Sequence, residues 1–367
     1  LPPDHAPLQY LMSVDDLAFF FYPNPLECDL HYKFNQGGSL DRQPWFDCSC
    51  CPTNICRFLP SVPGYIYAQA DGSIFVNLFV QSSSTIPMAK KSSVTISQET
   101  QYPWDGEIKI KVSPEKTSSF AVRLRIPGWV RNQPVPGDLY SYLAADVSPF
   151  NLTVNGEKVS FKEENGYAVI AREWKQGDVI NYSLPMNIHR VESNQLVVEN
   201  TGKVAIERGP IVYCLEATDQ PDKQVFDKYI PKNAELKAEF RADLLNGVMV
   251  LKGTARKVTE TADGISETEV PFTAVPYSVW NNRGAGEMAV WLPYKQNIAR
   301  PQPEATIASR ARSVNAYGVN DQWEPKSSAD ISKPYHYWWL KKGVDVELEY
   351  AFDKPETVQN VQVYWLS

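Results

Sequence analysis

After Pro63-Gly64 the chain stops placing apolar residues at helical spacing and begins to alternate apolar with polar positions. GSIFVNLFV (72–80), SVTIS (93–97), EIKIKV (107–112) and FAVRLRI (120–126) put every second side chain on one face, as half-buried antiparallel strands do. Turn dipeptides separate the runs: Asp71-Gly72, Asp105-Gly106, Pro127-Gly128, Asn155-Gly156, Asn165-Gly166 and Gly177-Asp178. NLTVNGEKVSF (151–161) reads as a hairpin closed by its Asn-Gly pair. Short strands at this spacing predict a β-sandwich. A second run of strands extends from Gln195 to about Trp291, through KVAIERGPIVYCLE (203–216), GVMVLKG (247–253) and GEMAVWL (286–292), with DQPDKQ (219–224) as a loop. Near Ala299 the stretch ARPQPEA reads as a linker. The tail to Ser367, with Trp323, Trp338, Trp339 and the strands VDVELEYAF and VQNVQVYWL, begins a further unit that ends on a strand without a visible partner.

Ahead of the strands stands FDCSCCPTN (46–54), which gathers three of the six cysteines, Cys48, Cys50 and Cys51. Adjacent cysteines seldom pair with each other, because the ring strains the peptide between them. Each thiol could instead find a distant partner in Cys28, Cys56 or Cys214, which would suit an oxidising compartment. The other reading is that thiolates are wanted at one point, for a soft metal such as zinc or for nucleophilic attack. Pro52 and the helical spacing of Ile55, Phe58 and Leu59 favour this second reading: they predict a helix with Cys51 as N-cap and Pro52 at its first position. Free N–H groups and the helix dipole there favour a thiolate. Two neighbouring thiolates repel, so a cation between them is expected, although two are too few for a four-ligand structural zinc site. Buried cysteines acting as small hydrophobes are the bland alternative, and it suits Cys56 and Cys214 best.

Composition narrows the classes. With 36 basic and 43 acidic residues, a net charge of -7 and no Lys/Arg run, the chain is not expected to bind nucleic acid. No apolar stretch approaches the roughly 18 residues of a membrane span. LPPDHAPLQY has neither the basic start nor the apolar core of a signal peptide, and the sequence lacks an initiator Met. Tryptophan and tyrosine on a β-rich background suit sugar stacking and sandwich cores alike. The four histidines (His5, His31, His189, His336) show no HxxxH or HxH pairing.

Taken together, the CCP cluster, the alternating strands and the aromatics resemble the zinc-dependent β-L-arabinofuranosidases of glycoside hydrolase families 127 and 146. The matching pieces are FFYPNPLE (20–27), RQPWFDCSCCPTN (42–54), RIPGW (125–129), GYAVIAREWKQGD (166–178), RGPIVYCLE (208–216) and PYSVWNNRGAGEMAVWLP (276–293), in order over roughly 270 residues. PYHYWWLKKGVDVELEYAFDKP (334–355) is similar to a galactose-binding jelly roll. The resemblance implies a mainly β chain of tandem β-sandwich domains preceded by the last part of an (α/α)6 barrel. Residues 1–64 would be the end of the barrel with the CCP loop, 65–190 a first sandwich closed by a strand at about 286–295, 191–285 a second sandwich, and 300–367 a partial galactose-binding-like module.

The resemblance also implies a retaining glycosidase acting on plant glycans. Cys50 would be the nucleophile and, with Cys51, a zinc ligand, and Tyr22 would lie at the sugar. Two family features find no match in residues 1–19: a glutamate serving as acid/base and a Glu-x-Cys pair completing the zinc site. Only Asp4, Asp15 and Asp16 stand there. Residues 1–17 fit the family poorly, whereas Phe19 onward fits well. A truncated or misread start is therefore expected, and with it little hydrolase activity from this chain alone. Glu27 beside Cys28 mimics a ligand pair but belongs to the NPLE stretch. A non-catalytic carbohydrate-binding scaffold and a zinc-stapled structural protein are the competing readings.

Overall fold

The computed structural model describes residues 21–300, apart from 31–32, 36, 47–49, 90–91, 146–147 and 262–263, and beyond 300 only 312–313, 327, 329, 350–351, 355 and 357. Strands dominate. The two α-helices among the described residues are α1 (Cys50–Ser61) and α2 (Pro63–Ile66).

Two sheets form the first sandwich. One runs in the order 157–158, 151–154, 178–183, 107–114, 92–100, 82–88, and the other 162–164, 167–174, 118–125, 73–76, 67–70. Pairing is antiparallel except between Ser73–Val76 and Ser118–Arg125. The predicted alternation is literal here. Along Glu107–Pro114 exposed and buried positions take turns, and Ile108, Ile110 and Val112 meet Ile74, Val122, Leu124, Ile170 and Ile180 in one core. Trp174, wholly buried, donates its indole N–H to the Phe120 carbonyl at 3.1 Å, which satisfies the one polar atom it carries inside. Asn155 and Gly156 both adopt positive φ, 53° and 84°, as a two-residue hairpin turn requires.

The second body is an 11-stranded sheet ordered 228–229, 248–261, 264–276, 211–216, 203–208, 188–193, 140–142, with 27–28, 236–241, 288–289 and 292–293 attached as side branches. Unlike the sandwich, this sheet is apolar on both faces. Val212 and Cys214 point into one core with Val250 and Val275; Ile211, Tyr213 and Leu215 point into another with Leu251 and Ala274. Every residue of Ile211–Glu216 is buried, which explains why IVYCL reads as a continuous apolar run.

This double burial corrects one expectation. The stretch at 286–295 does not close the first sandwich: Met288–Ala289 pairs with Ile211–Glu216 and with Glu27–Cys28, and Leu292–Pro293 pairs with Lys203–Arg208. Consecutive apolar residues in MAVWL need a strand covered on both sides, and Met288 and Val290 accordingly enter one core while Ala289 and Leu292 enter the other. Tyr140–Tyr142, within the stretch expected to form the first sandwich, and Ile188–Ser193, which straddles its expected end at 190, join the 11-stranded sheet. In the tail, Arg312–Ser313 pairs with Tyr350–Ala351; Trp323, Trp338 and Trp339 lie outside the described residues.

Glu207 sits inside this body, 3% exposed, and accepts a hydrogen bond from the Tyr142 hydroxyl at 3.0 Å. Burial pushes its carboxyl up to about 7, against the opposing help of that bond. A carboxyl raised in the folded state binds more protons folded than unfolded, so its contribution to stability is complete below about pH 4.5 and is lost as pH rises through 7. Glu207→Gln should remove that slope. Urea unfolding at pH 5 and pH 8 should show the wild type losing about 3 kcal/mol more than the variant between the two.

Candidate active site

Phe21, Leu26, Cys28, Phe34 and Leu40 form a strap whose side chains pack into the core that holds Val212, Cys214 and Val275. Phe21 is buried and stacks on Trp280, with ring centroids 4.8 Å apart and planes 16° from parallel. The Arg42 guanidinium lies 4.9 Å from the Phe21 ring centre and donates to the Trp280 carbonyl at 2.9 and 3.0 Å and to Ser278 O at 3.0 Å. Burial lowers this guanidinium to about 10, so it stays charged at neutral pH. Around it, Asn281 donates from Nδ2 to Leu40 O at 2.9 Å, and the Tyr277 hydroxyl donates to Asn24 Oδ1 at 2.9 Å. Glu27 and Cys28 complete the attachment as a strand paired with Met288–Ala289.

Fixing Phe21 fixes its neighbour. Tyr22 points the opposite way, out of the core, and its hydroxyl stands 3.2 Å from the Cys50 sulfur. Cys50 is the first residue of α1 and is exposed, and its carbonyl accepts from Thr53 Oγ1 at 3.2 Å. The helix thus starts one residue before the expected cap, and Pro52 falls inside its first turn, where a missing N–H costs no helical bond. Phe46, buried, meets the Tyr22 ring edge-on at 5.5 Å. The Tyr22 N–H donates to Asn35 Oδ1 at 3.0 Å. Two of the three expected site residues, 28 positions apart, therefore touch; the third, Cys51, lies in α1 with its side chain outside the described residues.

Other candidates separate from this point. Cys28 and Cys214 are buried, and burial drives the first thiol up to about 11 and the second well above its ordinary value. Cys56 is an exposed thiol, against the expectation of a buried one, because most of α1 beyond its first turn faces outward. Cys28, Cys56 and Cys214 are all unpaired, so the reading of distant disulfide partners for the CCP cluster fails for them. Glu27 is no partner for the neighbouring thiol: its carboxylate reaches Arg300 at 2.6 Å and Lys203 at 3.9 Å. His189 is buried and stacks on Tyr142 at 4.3 Å. Cys48, His5, His31 and His336 lie outside the described residues. Among the described residues no three His, Cys, Asp or Glu side chains gather where a metal ion could sit, so these residues by themselves do not build a zinc site.

The pattern along the chain gave no warning of Asn35, Phe46 or the Arg42 latch. Asn35 sits in a polar turn without periodicity, and Arg42 acts through main-chain carbonyls that no side-chain pattern reveals.

Comparison with known proteins gives these contacts a context. Residues 73–186 match the family model described as the β-L-arabinofuranosidase GH127 middle domain, and residues 188–293 match the glycoside hydrolase family 127 C-terminal domain. A non-reducing end β-L-arabinofuranosidase of Bifidobacterium longum subsp. longum is 32% identical over 302 residues, 74% of this chain and 41% of that protein. A solved GH127 β-arabinofuranosidase superposes with a TM-score of 0.73 at 38% identity, covering 80% of this chain and 45% of its own. The GH127 β-L-arabinofuranosidase of Geobacillus stearothermophilus gives 0.67 at 39% identity, covering 77% and 44%. The chain thus spans less than half the length of each of these relatives.

The Arg42 latch carries a testable consequence. Arg42→Lys keeps the charge but cannot reproduce the fork of donors to Trp280 and Ser278 or the stacking on Phe21. It should lower unfolding stability by about 1–3 kcal/mol. Because Cys28 lies in the segment that Arg42 helps to hold, the variant should also react with a thiol reagent at Cys28, where the wild type is protected.

Proposed function

The chain belongs to glycoside hydrolase family 127, whose middle and C-terminal domains it carries, and on that basis we propose that it supplies Cys50 as the nucleophile for attack on β-L-arabinofuranosyl residues of plant glycans, with little turnover from this chain alone. The observation that carries this reading is the 3.2 Å contact between the Tyr22 hydroxyl and the Cys50 sulfur at the first residue of α1.

Sulfur attacks carbon well only as thiolate. Once the Cys50 thiol has ionised, the phenol is the proton donor of the pair and stabilises the negative sulfur, and the unshared N–H groups at the start of α1 add positive potential. The thiolate attacks the anomeric carbon, forming a C–S bond as the glycosidic C–O bond breaks and its electron pair leaves on oxygen. Water then attacks the same carbon, the C–S bond breaks, and the sugar departs with its original configuration. Tyr22, half-buried beside the exposed sulfur, also offers its hydroxyl to the bound furanose. Zinc, which the resemblance implies beside Cys50 and Cys51, would hold thiolates in their ionised form, but it needs more ligands than the described residues bring together.

A p-nitrophenyl β-L-arabinofuranoside tests the first step, because its leaving group departs without protonation. Acid quench and peptide mass spectrometry should show one pentosyl group on Cys50, absent in Cys50→Ala. Tyr22→Phe should slow its formation about 10- to 100-fold, as loss of a hydrogen bond to a charged acceptor does. Unchanged turnover in Cys50→Ala, or an adduct on another residue, would sink the assignment.

A further inference from the structure

Tyr22 follows a residue locked into the sheet core, yet its own ring projects away from that core, so something else must fix its main chain. Asn35 does this. It is 3% exposed, and its side-chain amide joins two segments: Oδ1 accepts the Tyr22 N–H at 3.0 Å, and Nδ2 donates to the Asp41 carbonyl at 2.8 Å. Its own main chain is held as well, with the N–H donating to Ser39 O at 3.1 Å and the carbonyl accepting from Gly38 N at 3.0 Å. The amide can sit only one way round. Flipped, it would set an NH2 against the Tyr22 N–H and an oxygen against the Asp41 oxygen, turning both attractions into repulsions. Asn35 therefore ties Tyr22 to Asp41, and Asp41 leads directly into Arg42, which the Trp280 carbonyl holds.

We propose that Asn35 is a positioning residue for the Cys50 centre, its amide fixing the main chain of Tyr22 so that the phenol reaches the sulfur. This rests on the reading of Cys50 as nucleophile and deepens it. Asn35 acts only through Tyr22. The segment matched at 188–293 takes part in the site by the same route, since Trp280 and Ser278 hold Arg42, the residue after Asp41.

Cysteine reactivity tests this without substrate. The whole chain is treated with iodoacetamide at one neutral pH, and the alkylation rates of Cys50, Cys56 and Cys28 are followed separately by tandem mass spectrometry. Tyr22→Phe should slow Cys50 about 3- to 10-fold, the effect of one hydrogen bond. Asn35→Ala should slow it by the same factor, and the double variant no further, because both changes remove one contact. Asn35→Asp keeps the acceptor for the Tyr22 N–H but sets an oxygen against the Asp41 carbonyl, so it should recover the rate only in part. Cys56, exposed on the same helix, should be unaffected throughout, and Cys28, buried in its strand against Met288, should stay protected. A normal Cys50 rate in Asn35→Ala alongside a slow one in Tyr22→Phe would overturn the proposal. So would additive losses in the double variant, or the appearance of Cys28 labelling in Asn35→Ala, which would mark a structural role. If Tyr22→Phe itself leaves the Cys50 rate unchanged, the link from Tyr22 to the sulfur is absent and the proposal falls with it. Failure of the nucleophile assignment is read independently, from the site of the pentosyl adduct.

Discussion

A sheet that is apolar on both faces must be covered twice, and the second cover is what organises this molecule. Ile211, Tyr213 and Leu215 are shielded by the segment that carries Val225, Phe226 and Ile230; Val212, Cys214 and Val275 are shielded by the strap from Phe21 onward. Exposing that second face would forfeit about 25 cal/mol for every Å² of apolar surface. The strap is therefore held by burial first and by hydrogen bonds second. Its Phe21 side chain enters the core, Arg42 closes over it, and Tyr22 is presented outward as a geometric consequence. Cys50, at the start of α1, then meets the Tyr22 hydroxyl that this segment presents.

Much of this was legible in the sequence, and for identifiable reasons. Period-two alternation in EIKIKV and FAVRLRI reports a face turned to water, and the sandwich built from them follows directly. Asn155-Gly156 and Asn165-Gly166 have positive φ at both residues, which few other pairs tolerate. The partner of a strand is another matter. MAVWL announces that both its sides are buried, but the choice between two bodies depends on residues more than 70 positions away, and the expected closing strand of the first sandwich went to the second sheet instead. Cys56 shows the same limit on a small scale, since helical spacing tells which side is apolar and not whether anything lies against it.

The site residues divide in the same manner. Tyr22 and Cys50 stand in motifs that a family resemblance can carry across, and the structure sets them in contact. Asn35 is different. Its task is done by two hydrogen bonds to main-chain groups, and these leave no trace in residue type beyond a preference for an amide. The ion pairs of Glu27 with Arg300 and Lys203 likewise join elements whose proximity exists only after folding.

One attachment has a bearing on how the protein is made. The Tyr277 hydroxyl and Asn24 that it bonds are 253 positions apart, and Glu27–Cys28 finds its strand partner at Met288–Ala289. On the ribosome the chain appears from its N-terminal end, so Tyr22 and Cys50 emerge long before the surface that seats them. Until residues near 290 have been synthesised, the strap has no sheet to lie on, and its thiols and aromatic rings are borne by a segment without a docking face. Long-range closure of this kind is slow as well as late. The contact between Tyr22 and the Cys50 sulfur therefore finds its support only when synthesis has passed through residues near 290, which makes completion of that stretch a checkpoint for the contact.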